Sequence, residues 1–226
     1  MINQFIWVIF PYLCVAIFII GHLFRFKYDQ FSWTAKSSEF IEKKTLMWGS
    51  ILFHLGIIPV IMGHIVGLGI PAEWLNAIGI NDYIYHIGAV YIGSVFGIVT
   101  LVGMFLLTMR RITKENVRRL SSASDILVNF LLLIIVLMGC IATLWTNTTT
   151  PEFDYRQTIS VWFRGLLIFN PDATLMSSVP WTFKAHIMLG LIITAVWPFT
   201  RLVHVWSVPV SYFSRSYIVY RKHKTN

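Results

Sequence analysis

The chain has 226 residues, of which 56% are hydrophobic and only 12% charged, against about 25% charged in an ordinary globular protein. A soluble domain of this length cannot hide so much apolar surface, so the composition excludes a soluble fold and leaves room for several membrane spans without a large extra domain. The formal net charge of +8 is confined to short loops between apolar runs, which argues against a nucleic-acid binder, and no RNA- or DNA-binding motif is present.

In chain order, five stretches reach the length of about 20 residues that a membrane-crossing helix needs. They run roughly over 4–24, 47–69, 84–108, 125–145 and 182–206. No alternating pattern suggests a barrel, and backbone groups in lipid must be satisfied within the segment, so the expectation is an all-α integral membrane protein of five helices. The first run, 1–21, has no charged side chain and no basic leader, and reads as a retained span rather than a cleaved signal peptide. The whole chain reads as one membrane domain with a basic, aromatic tail over 207–226.

Loop charges set the expected orientation. Arg25, Lys27, Lys36, Lys43 and Lys44 follow the first span, and Arg110, Arg111, Lys114, Arg118 and Arg119 follow the third. Arg201, Arg215, Arg221, Lys222 and Lys224 follow the last, so only Arg156, Arg164 and Lys184 fall on the other side. This predicts the N-terminus outside and the C-terminus inside. Within the long outer loop, "SVWFRGLLIF" is aromatic and amphipathic. It reads equally as an interfacial helix and as a loop packed on the bundle.

Cys14 and Cys140 lie in apolar runs, outside any CxxCH or CxxC arrangement, which speaks against covalent haem, a cysteine-held cluster or a disulfide framework. Histidine carries the signal instead. Of seven histidines, His223 lies in the tail and His22 and His86 lie at span ends. His54 and His64 share the second span, and His186 and His204 the fifth. Ionisable residues inside a membrane point to function, although a single histidine often just bonds across a helix interface. Two on each of two spans is a pattern that such bonding does not explain.

Antiparallel packing of these spans pairs His64 with His186 toward the outside and His54 with His204 toward the inside. Each pair can offer two neutral imidazoles to one iron, on either side of a flat macrocycle. His54 and His64 are separated by a rise of roughly 15 Å and, on a continuous helix, His186 and His204 by roughly 27 Å over five turns. Pro198 is a natural kink site that can absorb the mismatch. Gly56, Gly63, Gly67 and the glycines of "GSVFG" let a helix or a porphyrin approach. Arg111 and Arg201 are candidate partners of haem propionates. Structural zinc fits less well, because it takes four ligands in one tetrahedron. A proton relay or a histidine-lined transporter stays open, as does a passive anchor.

The stretches "LFHLGIIPVIMGHIVG", "FKAHIMLG" and "WPFTRLVHVWSVPVSYF", with "FSWTAKSSEF" and "SSASDIL", closely resemble the gamma subunit of respiratory nitrate reductase, a dihaem b-type quinol-oxidising cytochrome. The resemblance covers essentially the whole chain. It implies two haem b groups, the outer held by His64 and His186 and the inner by His54 and His204. It also implies membrane quinol as substrate, a place in the cytoplasmic membrane, and an iron–sulfur beta subunit and a molybdenum-containing alpha subunit on the inner face. Family members often carry a lysine near the outer start of the third span. Here "NDYIYHIGAVYIG" has none, and Gly63, Tyr85 and His86 are the candidates for the quinol site. A cytochrome b subunit of another quinone-linked complex is the nearest alternative.

Overall fold

The computed structural model describes residues 1–30, 33 and 39–207. The described residues contain helices and no strand. Five helices are long and apolar enough to cross a membrane: α1 (Ile2–Tyr28), α2 (Lys44–Gly69), α3 (Asp82–Thr113), α4 (Ala123–Thr149) and α6 (Trp181–Phe199). A shorter helix, α5 (Ile159–Leu167), precedes α6. The expected spans are all present, most of them longer at one or both ends than hydropathy alone suggests. The basic tail beyond residue 207 and most of "FSWTAKSSEF" lie outside the described residues.

The helices pack in the order α2, α3, α4, α6, α1. Small residues set the closest crossing. A Cβ built on Gly103 of α3 would collide with the backbone of Phe53, and one on Gly56 of α2 would lie 2.6 Å from the Thr100 amide nitrogen, so these glycines let the two backbones meet. Several threonines inside the spans are satisfied locally. Thr100, Thr108, Thr143 and Thr194 each donate to the carbonyl four residues earlier, the usual solution where no water competes. At the start of α4, Ser122 accepts from the Asp125 amide while the Asp125 carboxylate accepts from the Ser122 amide, a reciprocal cap encoded by "SSASD".

Two ends of the bundle are distinguishable. At the basic face, buried Arg110 donates to the Glu42 carboxylate at 2.7 Å and to the Glu42 carbonyl at 2.8 Å. The Thr45 amide, at 2.7 Å, and next the Arg110 guanidinium hold the Glu42 carboxyl down at about 2. At the other end, the N-terminal face, α5 buries Ile159, Ser160, Trp162 and Gly165. Its Trp162 indole donates to the Trp7 carbonyl at 2.7 Å, and Ser160 donates to the Gly67 carbonyl at 2.7 Å. "SVWFRGLLIF" is thus a helix, and it is also packed on the bundle.

At about the level of α5, four spans widen into single π-helical turns, over Phe5–Ile9, Ile65–Gly69, Gly88–Ile92 and Ala142–Thr146. The fifth span differs from expectation. The α-helix ends at Val196, Pro198 sits in a tight turn, and Thr200 is extended (φ −122°, ψ 176°) before a 3₁₀ segment, Arg201–Ser207. Proline removes a backbone donor and breaks the ladder. Arg25 of α1 donates to the carbonyls of Pro198 (2.6 Å) and Thr200 (2.9 Å) at that break.

Candidate functional site

His54, His64, His186 and His204 share one local arrangement. Each Nδ1 faces a backbone carbonyl: Ser50 at 2.8 Å, Val60 at 2.7 Å, Ile135 at 2.9 Å and Arg201 at 2.7 Å, respectively. A carbonyl only accepts, so Nδ1 carries the proton, and in a neutral ring Nε2 then carries the lone pair. Orienting a ligand ring from behind in this way is how metal-binding imidazoles are positioned. His22 contrasts with them. Its Nδ1 faces the Phe18 carbonyl, but its Nε2 already accepts from the Trp206 indole at 3.2 Å.

His64 and His186 come together. Their ring centroids are 5.9 Å apart, with planes 28° from parallel. Two imidazoles bonded through nitrogen to one metal, at about 2 Å each, place their centroids roughly 6 Å apart. The pair lies near the N-terminal face, toward the end of α2 and the beginning of α6. Gly139 of α4 makes the pair possible, since a Cβ there would sit 2.9 Å from His186 Cε1 and 3.2 Å from its Nδ1. No sequence motif marks that glycine. Beside His64, a Cβ on Gly63 would meet nothing within 4 Å. A cleft of about 320 Å³ opens there, walled by Ile61, Ile65, Leu68, Phe163 and Leu167 along with His64 itself.

Other sequence-predicted residues are placed differently. His204 is not on the helix that carries His186, because the chain breaks at Pro198. The expected five turns on one face do not exist, and no ring contact comparable to that of His64 and His186 joins His54 to His204. Gly56 is filled by α3 rather than facing open space. Arg201 pairs with Asp125 at 3.5 Å, and Arg111 donates to Ser121 Oγ at 2.6 Å, so both make contacts within the basic face. Tyr85 is committed to a cluster: its hydroxyl bonds that of Tyr155 at 2.7 Å and abuts Gly67. Burial, with Tyr85 beside it, pushes the Tyr155 phenol far above its ordinary value. His86 is exposed, and its side chain makes no hydrogen bond to another described residue. Among the described residues, no three His, Cys, Asp or Glu side chains converge, so the tetrahedral ligand set of structural zinc is not assembled there.

The model of the nitrate reductase gamma subunit family matches residues 3–223. The chain belongs to the nitrate reductase gamma subunit family. It is 48% identical to the nitrate reductase gamma chain of Bacillus subtilis, over 98% of this chain and 99% of that one. It is 39% identical to the nitrate reductase-like protein NarX of Mycobacterium tuberculosis, over 98% of this chain but 34% of that longer protein. The respiratory nitrate reductase 2 gamma chain of Escherichia coli is 33% identical over 99% and 98% of the two chains. Membership makes the chain a subunit of an oxidoreductase complex rather than a transporter. With five helices able to cross a membrane, it is a multi-pass membrane subunit.

Proposed function

We propose that this chain is the dihaem b-type cytochrome subunit of a membrane-bound nitrate reductase, oxidising quinol near the N-terminal face and delivering electrons at the basic face. The observation that carries this reading is the His64–His186 pair. Its separation suits one iron between the rings, and both rings are anchored so that Nε2 is the available nitrogen. His54 and His204, anchored the same way, would hold the second haem toward the basic face. Each haem supplies a one-electron iron centre when bound. The positive-inside bias puts the basic face in the cytoplasm and the N-terminal face outside, which makes the cytoplasmic membrane the location. The electron acceptor is then an iron–sulfur beta subunit docked at the basic face, with a molybdenum-containing alpha subunit behind it.

For the quinol, the cleft beside His64 supplies apolar walls from α2 and α5, suited to a flat ring with a hydrocarbon tail. Gly63 leaves the approach uncrowded, and exposed His86 and the outer residues of α3 remain candidates to take up released protons at that face. Tyr85 is engaged with Tyr155 and contributes by shaping the site. The test is an optical redox titration with haem quantitation. Two b-type components per chain are expected, and His64→Ala or His186→Ala should remove one component and stop quinol oxidation. Retention of both components in these variants would refute the pairing.

A further inference from the structure

Directly above the His64–His186 pair lies a cluster that the quinol reading does not use. Gly67 is one turn past His64, and Phe183 is one turn before His186. Tyr155 reaches both: its hydroxyl lies 3.2 Å from a Cβ built on Gly67, and its ring stacks on Phe183 at 6.4 Å. Next to it, Arg156 is 7% exposed and its guanidinium lies 4.2 Å from the Tyr85 ring centroid. Its Nη1 bonds Asp82 at 2.6 Å, but that carboxylate is 73% exposed and meets the cation from the solvent side. Asp154 is occupied with the Arg156 backbone amide at 2.8 Å. The other terminal nitrogen, Nη2, is sealed from solvent and has no hydrogen-bond partner among the described residues. A buried guanidinium donor without an acceptor is costly, and its geometry suits a carboxylate.

We infer that Arg156 anchors a carboxylate of the group held between His64 and His186, which on the haem reading is a propionate of the outer haem. A flat macrocycle held between the two rings would present its rim toward the level of Tyr155 and Arg156. A quinol, being neutral, has no carboxylate to offer. Arg111 and Arg201, the cations expected to play this part, belong to the opposite face.

The inference rests on the haem reading, and one experiment separates the two. Membranes carrying the assembled complex with Arg156→Gln, Arg156→Lys or Asp82→Asn are titrated optically against potential. Removing a fixed cation near the outer haem should disfavour its reduction at least tenfold, equivalent to 59 mV for one electron, or empty that component, and Arg156→Lys should restore much of it. Asp82→Asn breaks the same ion pair but keeps the guanidinium, so its outer haem should hold its potential or rise. Should Arg156→Gln fail to accumulate, Asp82→Asn carries the test. A fall in potential for Asp82→Asn, or an unchanged potential in Arg156→Gln, would overturn the assignment and leave Arg156 as a loop fastener. A wild-type chain without b-type pigment would instead overturn the haem reading itself.

Discussion

Replacing Gly139 by alanine tests the site from behind. The new methyl group would lie 2.9 Å from His186 Cε1 and 3.2 Å from Nδ1, whereas carbon atoms pack best at about 3.5–4.0 Å. The ring must retreat from α4 by roughly 0.6–1.1 Å to reach that range. Ile135, whose carbonyl accepts from His186 Nδ1 at 2.9 Å, is on the same helix. Retreat therefore stretches that bond to the limit at which it stops counting as one, about 3.5 Å. Losing it costs about 0.5–1.5 kcal/mol, and the overpacking adds about 1–3 kcal/mol. Taken together at about 1.5–4.5 kcal/mol, this is a roughly 12- to 1,600-fold loss in occupancy of the anchored ring position. The assay is haem per chain plus redox titration in membranes, with the amount of inserted chain measured in parallel. The expected result is normal insertion with the outer b component lost or shifted. Gly88→Ala is the control, because a Cβ there meets nothing within 4 Å. A Gly139→Ala protein with two b components at wild-type potentials would refute the reasoning.

At the other face, Glu42→Gln strips the partner carboxylate from Arg110, whose side chain is 3% exposed. Losing that opposite charge should destabilise the fold, read as a lower thermal unfolding midpoint in detergent, and an unchanged midpoint would contradict the ion-pair argument. Because the Glu42 carboxyl is held down at about 2, below the usual value of about 4.3, its contribution is complete above that usual value and disappears as pH falls toward 2. Wild-type stability should therefore drop more steeply than that of Glu42→Gln between pH 4.5 and 2. Ser122→Ala removes the α4 cap and should cost about 0.5–2 kcal/mol in the same assay. For orientation, a single cysteine at Asn170 should react with an impermeant maleimide in right-side-out vesicles, while one at Lys114 should react only after lysis. The reverse pattern would invert the topology.

The spans and the meeting of His64 with His186 were legible because hydropathy fixes where helices cross, and strict alternation of direction then fixes which histidines share a level. The end of the fifth span was not. "VWPFTRLVHV" stays apolar through Pro198, so hydropathy carries the helix onward where backbone geometry ends it. Gly139 was invisible because its use depends on α4, not α2, lying behind His186. Arg156 reads from the sequence only as one of three cations on the outer side, since nothing local announces that it folds back onto Asp82, 74 residues earlier in sequence. Arg111 and Arg201 read from the sequence as candidate propionate partners; in the fold Arg111 donates to Ser121 Oγ and Arg201 pairs with Asp125.

The π-helical turns have an engineering consequence. Each inserts one residue into its helix, which rotates everything beyond it by about 100°. On α2 that swivel falls immediately after His64, so Gly67 and the crown above are aimed independently of the shaft that carries both histidines. Excising one residue within 65–69 should swing Gly67 away from Tyr85 and Tyr155 while leaving His54 and His64 in register. The crown, where the substrate and any propionate contacts would be tuned, can thus diverge by single-residue insertions or deletions without disturbing the columns that carry the histidines.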